Sequence, residues 1–261
     1  MILMLNNRLG EINYNNFGSK IKIIAYRKSN DIDIYFEEYD WIAYNREYGD
    51  FKKGGVECPY EPRVYNIGYV GDGKYKTKIN GKSTMAYEIW KGMLRRCYDK
   101  KYHEKYPTYK DCEVCEEWLN FQNFAEWYRL NYYEVSNEKM HLDKDILYKG
   151  NKIYSPETCV FVPQRINSLF NKSKTYKNRT NKELPIGVFK HGDKYIARCR
   201  VYKDGKSESI YLGTYNTEYE AFKSYKAYKE NLIKQVADYY EHIIDRELYK
   251  AMYEYEIEID D

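Results

Sequence analysis

No run in this 261-residue chain approaches the roughly eighteen apolar residues of a membrane-spanning helix, and its start carries no basic segment followed by an apolar core. The expectation is a soluble cytoplasmic protein. Histidine is scarce: His103, His141, His191 and His242 are the only imidazoles from which a histidine base could be drawn. Cysteine is sparse and scattered, with six residues and one Cys-x-x-Cys pair, Cys112-Glu-Val-Cys115. A structural zinc site needs a second pair at similar spacing, so the pattern favours reduced thiols over zinc. Net charge is small too, with 43 Lys and Arg against 40 Asp and Glu, so any strongly basic surface must be local.

What is abundant is tyrosine, 33 residues within a 43% hydrophobic content, which argues for a folded chain long enough for two or three modest domains. Residues 1–80 carry short strand signals at 20–26, 32–36 and 41–44, separated by turn residues, and their charges nearly cancel; a small SH3-like barrel is expected. Residues 61–82 hold Pro62, Gly68, Gly71, Gly73 and Gly81 and read as a loop or linker. From Met85 the period changes. Ile89 or Trp90, Met93, Leu94 and Cys97 recur at helical spacing, as do Phe121, Phe124, Ala125 and Tyr128, with a connecting loop over 100–111. Residues 172–184 are polar and basic and read as a linker, and the last nine residues, with five acids, as a frayed tail, a strand or an acidic arm.

Toward the end, strict alternation in 195–202 places Tyr195, Ala197, Cys199 and Val201 on one strand face and Ile196, Arg198, Arg200 and Tyr202 on the other. Asp204-Gly205 supplies a hairpin turn, a second strand follows through Tyr211, and Thr217-Glu-Tyr-Glu220 is a capping box that starts a helix. Ala221, Tyr225, Tyr228 and Leu232 would lie against the sheet. Between residues 172 and 206 eleven Lys or Arg stand against three acids, the electrostatic footprint of a phosphate-binding surface. A three-stranded sheet followed by a helix, carried on Pro185-Ile-Gly-Val-Phe189, the 194–202 strand and Tyr211-Leu-Gly-Thr214, resembles an AP2-type DNA-binding domain. The resemblance implies a sheet laid in the major groove of double-stranded DNA, with Arg198, Arg200, Tyr202, Lys206 and Tyr211 toward the duplex. The segment 185–235 is expected to fold alone.

The middle of the chain resembles the HNH-endonuclease-like proteins of bacteriophages through Trp90-Lys-Gly-Met-Leu-Arg-Arg-Cys97, Cys115-Glu-Glu-Trp118, Leu142-Asp-Lys-Asp145, Tyr154-Ser-Pro-Glu-Thr-Cys159 and Asn167. That family implies a ββα hairpin holding Mg²⁺ or another divalent metal, a histidine base after the first strand, a bracing asparagine, and a His or Asn on the helix. Here Lys144 or a neighbouring Asp takes the histidine position and Thr158 the asparagine position, while Asn167 remains. An ammonium can neither bind a metal nor accept a proton. Asp143 and Asp145 are hard oxygen donors suited to Mg²⁺. His141, Asp143 and Asp145 would share a strand face with Lys144 opposite, which makes His141 a displaced candidate base.

The expected architecture is α+β and multidomain: an SH3-like module in 1–80, a helical and ββα HNH-like region in 83–171, a linker in 172–184, an AP2-like domain in 185–236, and a helix with an acidic tail in 237–261. The expected function is phage-type double-stranded DNA binding, in the form of a homing-type endonuclease whose metal-dependent hydrolysis is impaired or lost. Two alternatives stand beside it: a nuclease-derived scaffold that binds protein, such as an inhibitor of a bacterial anti-phage defence complex, and a transcriptional regulator using the sheet alone. The sequence leaves the oligomeric state open.

Overall fold

Alternating isoleucines build the first sheet. In the computed structural model, which describes residues 8–170, 184–203 and 206–259, β1 (Ile12–Tyr14), β2 (Lys20–Lys28), β3 (Asp31–Phe36) and β4 (Trp41–Arg46) form an antiparallel meander in that order. Ile21 pairs with Phe36 and Ile23 with Ile34, so β2 and β3 send their apolar side chains to one face while Lys22 points away. Phe51 of α1 (Tyr48–Lys52), Val56 and Cys58 close this core. The chain is α+β and divides into two compact units, one through Tyr128 and one from Arg129.

Residues 61–82, expected as a loop or linker, are pinned to the first unit's helices. Gln122 reaches across the segment: its Nε2 donates to the Val70 and Tyr75 carbonyls at 3.2 and 3.0 Å, and its Oε1 accepts from the Tyr75 amide at 2.9 Å. Gly68 is required there, since a Cβ would lie 2.3 Å from Leu94 and 3.0 Å from Trp90. A short hairpin of β5 (Lys78–Ile79) and β6 (Lys82–Ser83) then leads into α2 (Met85–Tyr98). The expected stripe Trp90, Met93, Leu94 and Cys97 is buried, and the Trp90 indole donates to the Trp118 carbonyl at 2.7 Å. The connection over 100–111 is not all loop. It contains α3 (Lys100–Lys105), capped by Asp99, whose carboxylate accepts from the Lys101 amide at 2.9 Å. After β7 (Glu113–Val114) and α4 (Glu116–Leu119), α5 (Phe121–Asn131) buries Phe121, Phe124 and Ala125.

The second unit begins with β8 (Met140–Asp143), β9 (Ile153–Tyr154) and β10 (Val160–Pro163), with β10 antiparallel to β8 and continuing directly into α6 (Gln164–Phe170). It ends with a second antiparallel sheet, β11 (Val188–His191), β12 (Lys194–Lys203) and β13 (Lys206–Tyr215), then α7 (Glu218–Tyr240) and α8 (Arg246–Tyr253). The capping box is formed at the head of α7: Thr217 Oγ1 accepts from the Glu220 amide at 3.2 Å and Glu220 accepts from the Thr217 amide at 3.1 Å. Ala221, Tyr225, Ile233, Val236 and Tyr240 are buried along α7, with Tyr228 and Leu232 packed on the flank. Lys229 interrupts this apolar stripe, and loss of water lowers its pKa.

One core serves this whole unit. Ile146, Val162, Ile166 and Leu169 from the ββα region join Val188, Ala197 and Cys199 from the sheet and Leu248, Met252 and Ile257 from the C-terminal end. The tail does not fray at Ile257: its amide donates to Glu230 at 2.9 Å and its carbonyl accepts from Lys226 at 2.7 Å. The basic segment 172–183, the Asp204-Gly205 turn and the last two residues lie outside the described residues, as do the side chains of Lys203 and Lys206. Among the described residues no helix is long and apolar enough to cross a membrane.

Candidate nucleic-acid interface

The alternation of β12 sorts its side chains. Ala197 and Cys199 are almost wholly buried, whereas Arg198, Arg200 and Tyr202 are exposed on the opposite face. β13 adds Ser207, Ser209 and Tyr211, which pair across from Tyr202, Arg200 and Arg198. The register breaks between Ala197 and Arg198, whose partners are Gly213 and Tyr211, so Leu212 is an extra residue. This bulge sends Leu212 to the core and lets both Tyr211 and Thr214 reach the outer face, where their hydroxyls meet at 2.8 Å. Gly213 makes it possible: its φ is +141°, and a Cβ there would sit 2.7 Å from the Tyr215 hydroxyl.

The outer face is therefore cationic and aromatic. Neither the Arg198 nor the Arg200 guanidinium has a hydrogen bond or ion pair among the described residues, and the cross-strand positions facing them are Tyr211 and Ser209. Tyr202 and Tyr211 are 40% and 58% exposed. Two arginines whose backbone positions are about 7 Å apart along one strand present forked donors that fit phosphate oxygens and guanine edges. Lys206 stands at the hairpin end, its backbone paired with Lys203.

In the ββα region His141, Asp143, Lys144 and Asp145 are each engaged in hydrogen bonds. The Gln164 amide oxygen accepts from His141 Nε2 at 2.6 Å, so the imidazole links β8 to the first residue of α6. Asp143 Oδ1 accepts from the amides of Asp145 and Ile146, both at 2.9 Å. Those two bonds turn the chain and end the strand, because a side-chain acceptor here competes with the ladder for backbone donors. Asp145 therefore does not continue the alternation of His141 and Asp143, contrary to the expected shared face. Burial, reinforced by the nearby charge of Asp145, pushes the Asp143 carboxyl up to about 6.

Lys144 is buried rather than presented to a substrate. Its Nζ donates to Asp145 Oδ2 at 2.9 Å and to the Asn151 carbonyl at 3.0 Å. Asn151, which the sequence reading passed over, is the chief brace of this turn: its Nδ2 donates to the Lys144 and Ile153 carbonyls at 2.6 and 2.7 Å. Its position after Gly150 and before a strand was the available signal. Thr158 makes a lesser brace, donating to the Ile153 carbonyl at 2.8 Å. Asn167 lies on α6 between buried Ile166 and Leu169, partly exposed.

These residues do not fit a divalent cation. One oxygen of Asp143 is held by two amides, Asp145 is met by an ammonium, and the His141 nitrogen that faces Gln164 carries a proton. Among the described residues no three His, Cys, Asp or Glu side chains gather in a way that could hold a metal. The six cysteines, Cys112 and Cys115 included, are unpaired as disulfides.

No family model, curated protein or solved structure matches the chain.

Proposed function

We propose that this chain binds double-stranded DNA through the outer face of β11–β13, in the manner the AP2 resemblance implies, and that its HNH-like ββα region is a scaffold that has lost hydrolysis. It would act in the cytoplasm of a bacterial host during phage infection, with an SH3-like module at its N-terminus. The observation that carries this reading is the pair of exposed guanidinium groups of Arg198 and Arg200, without a partner among the described residues and flanked by Tyr202 and Tyr211. Arginine without a carboxylate partner, set among aromatic and hydroxyl side chains, is suited to phosphate and base-edge contact. The ββα region supports the loss of chemistry, since the candidate base, carboxylates and lysine are committed to holding one turn and one strand–helix junction.

A plasmid assay tests both halves. With Mg²⁺ or Mn²⁺ the purified protein is expected to retard supercoiled plasmid and leave it supercoiled, because a phosphodiester attacked by unactivated water is extremely long-lived. Metal-dependent nicking that disappears in His141→Ala and Asp143→Ala would show that hydrolysis survives in this region.

A second reading, a protein-binding scaffold such as an inhibitor of an anti-phage defence complex, is favoured by a separate observation. Ile12, Tyr14, Ile24 and Tyr44 are exposed on the strands of the N-terminal sheet, at 51%, 61%, 38% and 60%. Large apolar side chains left exposed on a sheet are suited to a protein contact. Recovery of a host protein without DNA from infected cells would favour it over DNA binding.

A further inference from the structure

We propose that the β5–β6 hairpin is a second contact to the phosphate backbone of double-stranded DNA; this inference rests on the DNA-binding reading above. Residues 74–82, Lys-Tyr-Lys-Thr-Lys-Ile-Asn-Gly-Lys, contain four lysines and no acid, in a chain whose whole cationic excess is three. All four lysines are exposed. Lys74 is paired with Glu126 at 3.1 Å, but the ammonium groups of Lys76, Lys78 and Lys82 have no hydrogen bond or ion pair among the described residues.

A run of lysines is ordinarily a solvated surface with no specific partner. This one differs in being held in shape. Asn80 and Gly81 form the two-residue turn with φ of +49° and +75°, the left-handed pair that suits a tight hairpin. Thr84 anchors the base: as the N-cap of α2 it accepts from the Tyr87 amide, its hydroxyl donates to the Lys76 carbonyl at 3.2 Å, and its amide donates to the Thr77 carbonyl at 2.9 Å. Gln122 clasps Tyr75 from both its amide and its carbonyl. Tyr75 and Thr77 are partly buried and turned toward the body of the unit, so the alternation leaves Lys76 and Lys78 outward, and Lys82 faces Ile79 across the turn.

Cations fixed on a rigid, acid-free projection lose little backbone freedom on binding a polyanion. Duplex DNA supplies the complementary charge at regular spacing. Lysine acts here as a point charge without base preference, so the hairpin would add affinity and salt dependence but no sequence specificity.

The test uses the full chain with Lys76, Lys78 and Lys82 all changed to Gln, titrated with a labelled duplex over a range of salt. If three phosphate contacts are lost, the log–log salt slope should become shallower by about 2 to 3, with affinity at physiological salt falling roughly tenfold or more. Thermal unfolding should hardly change, since the three side chains are exposed and their ammonium groups have no hydrogen-bond or ion-pair partner among the described residues. A variant with the slope and affinity of the unmutated protein would overturn the inference, and if Arg198→Glu/Arg200→Glu still abolished binding in parallel, the sheet reading would stand. Absence of any duplex binding by the unmutated protein would sink both. Vesicles containing phosphatidylserine are the competing anionic surface: vesicle binding that needs the three lysines, alongside unchanged duplex affinity, would assign the hairpin to membranes and contradict the proposal.

Discussion

Changing Arg198 and Arg200 together to Glu is expected to lower duplex affinity by about a hundredfold or more, while the thermal midpoint hardly moves. Each reversal removes a forked donor worth about 1 to 3 kcal/mol to a base edge and substitutes repulsion from the phosphates. The fold should tolerate both, because the two side chains point away from Ala197 and Cys199 and have no hydrogen-bond or ion-pair partner among the described residues. Fluorescence anisotropy against a labelled duplex reads the loss, and calorimetry reads the stability. The unmutated protein should show a log–log salt slope of roughly −4 to −6, corresponding to five or six neutralised phosphates. A double variant that keeps its affinity, or an unmutated complex indifferent to salt, would remove the sheet from the binding account.

The second large effect concerns folding. The shared core reverses the expectation that 185–235 folds alone: that fragment is expected to be unfolded on its own, and 129–261 folded. Excision removes Ile146, Val162, Ile166 and Leu169 from one side of the core and Tyr240, Leu248, Met252 and Ile257 from the other. Large buried side chains contribute about 1.5 to 3 kcal/mol each, whereas whole domains are stable by only about 5 to 15 kcal/mol. Amide spectra of the two fragments decide the matter: dispersed signals from 185–235 would contradict the shared core, and collapsed signals from 129–261 would mean that even this unit needs the rest of the chain.

Much of this was legible in the residues themselves. The two faces of β12, the capping box at Thr217 and the buried stripes of α2 and α5 follow from local period, since one face of each element must be apolar. What local period cannot give is the partner. It marked Ala221 and Tyr225 as inward, yet it did not say that α6 packs into the same core, nor that Lys229 takes a buried place on α7. The glycine-rich run 61–82 looked free for the same reason: its clasp, Gln122, lies some forty to sixty residues farther on and has no special sequence context. The bulge at Leu212 depends on one glycine in an otherwise regular strand.

In the ββα region the geometry differs from the one the alternation predicts. Alternation predicted that His141, Asp143 and Asp145 would share a face, which requires the strand to continue. Asp143 itself ends the strand by capturing the next two free amides, a short-range competition that an alternating pattern does not reveal. Lys144, marked as the residue in the place of a lost base, is instead the buried centre of that turn, and Asn151 rather than Thr158 does most of the bracing.

The most direct test of duplex binding through the β11–β13 face is hydroxyl-radical footprinting of the full chain with and without saturating duplex. Tyr202 and Tyr211 should be strongly protected by DNA, while Tyr14 and Tyr44, exposed on the N-terminal sheet, keep their reactivity. Equal oxidation of Tyr202 and Tyr211 in free and DNA-saturated protein would contradict the account.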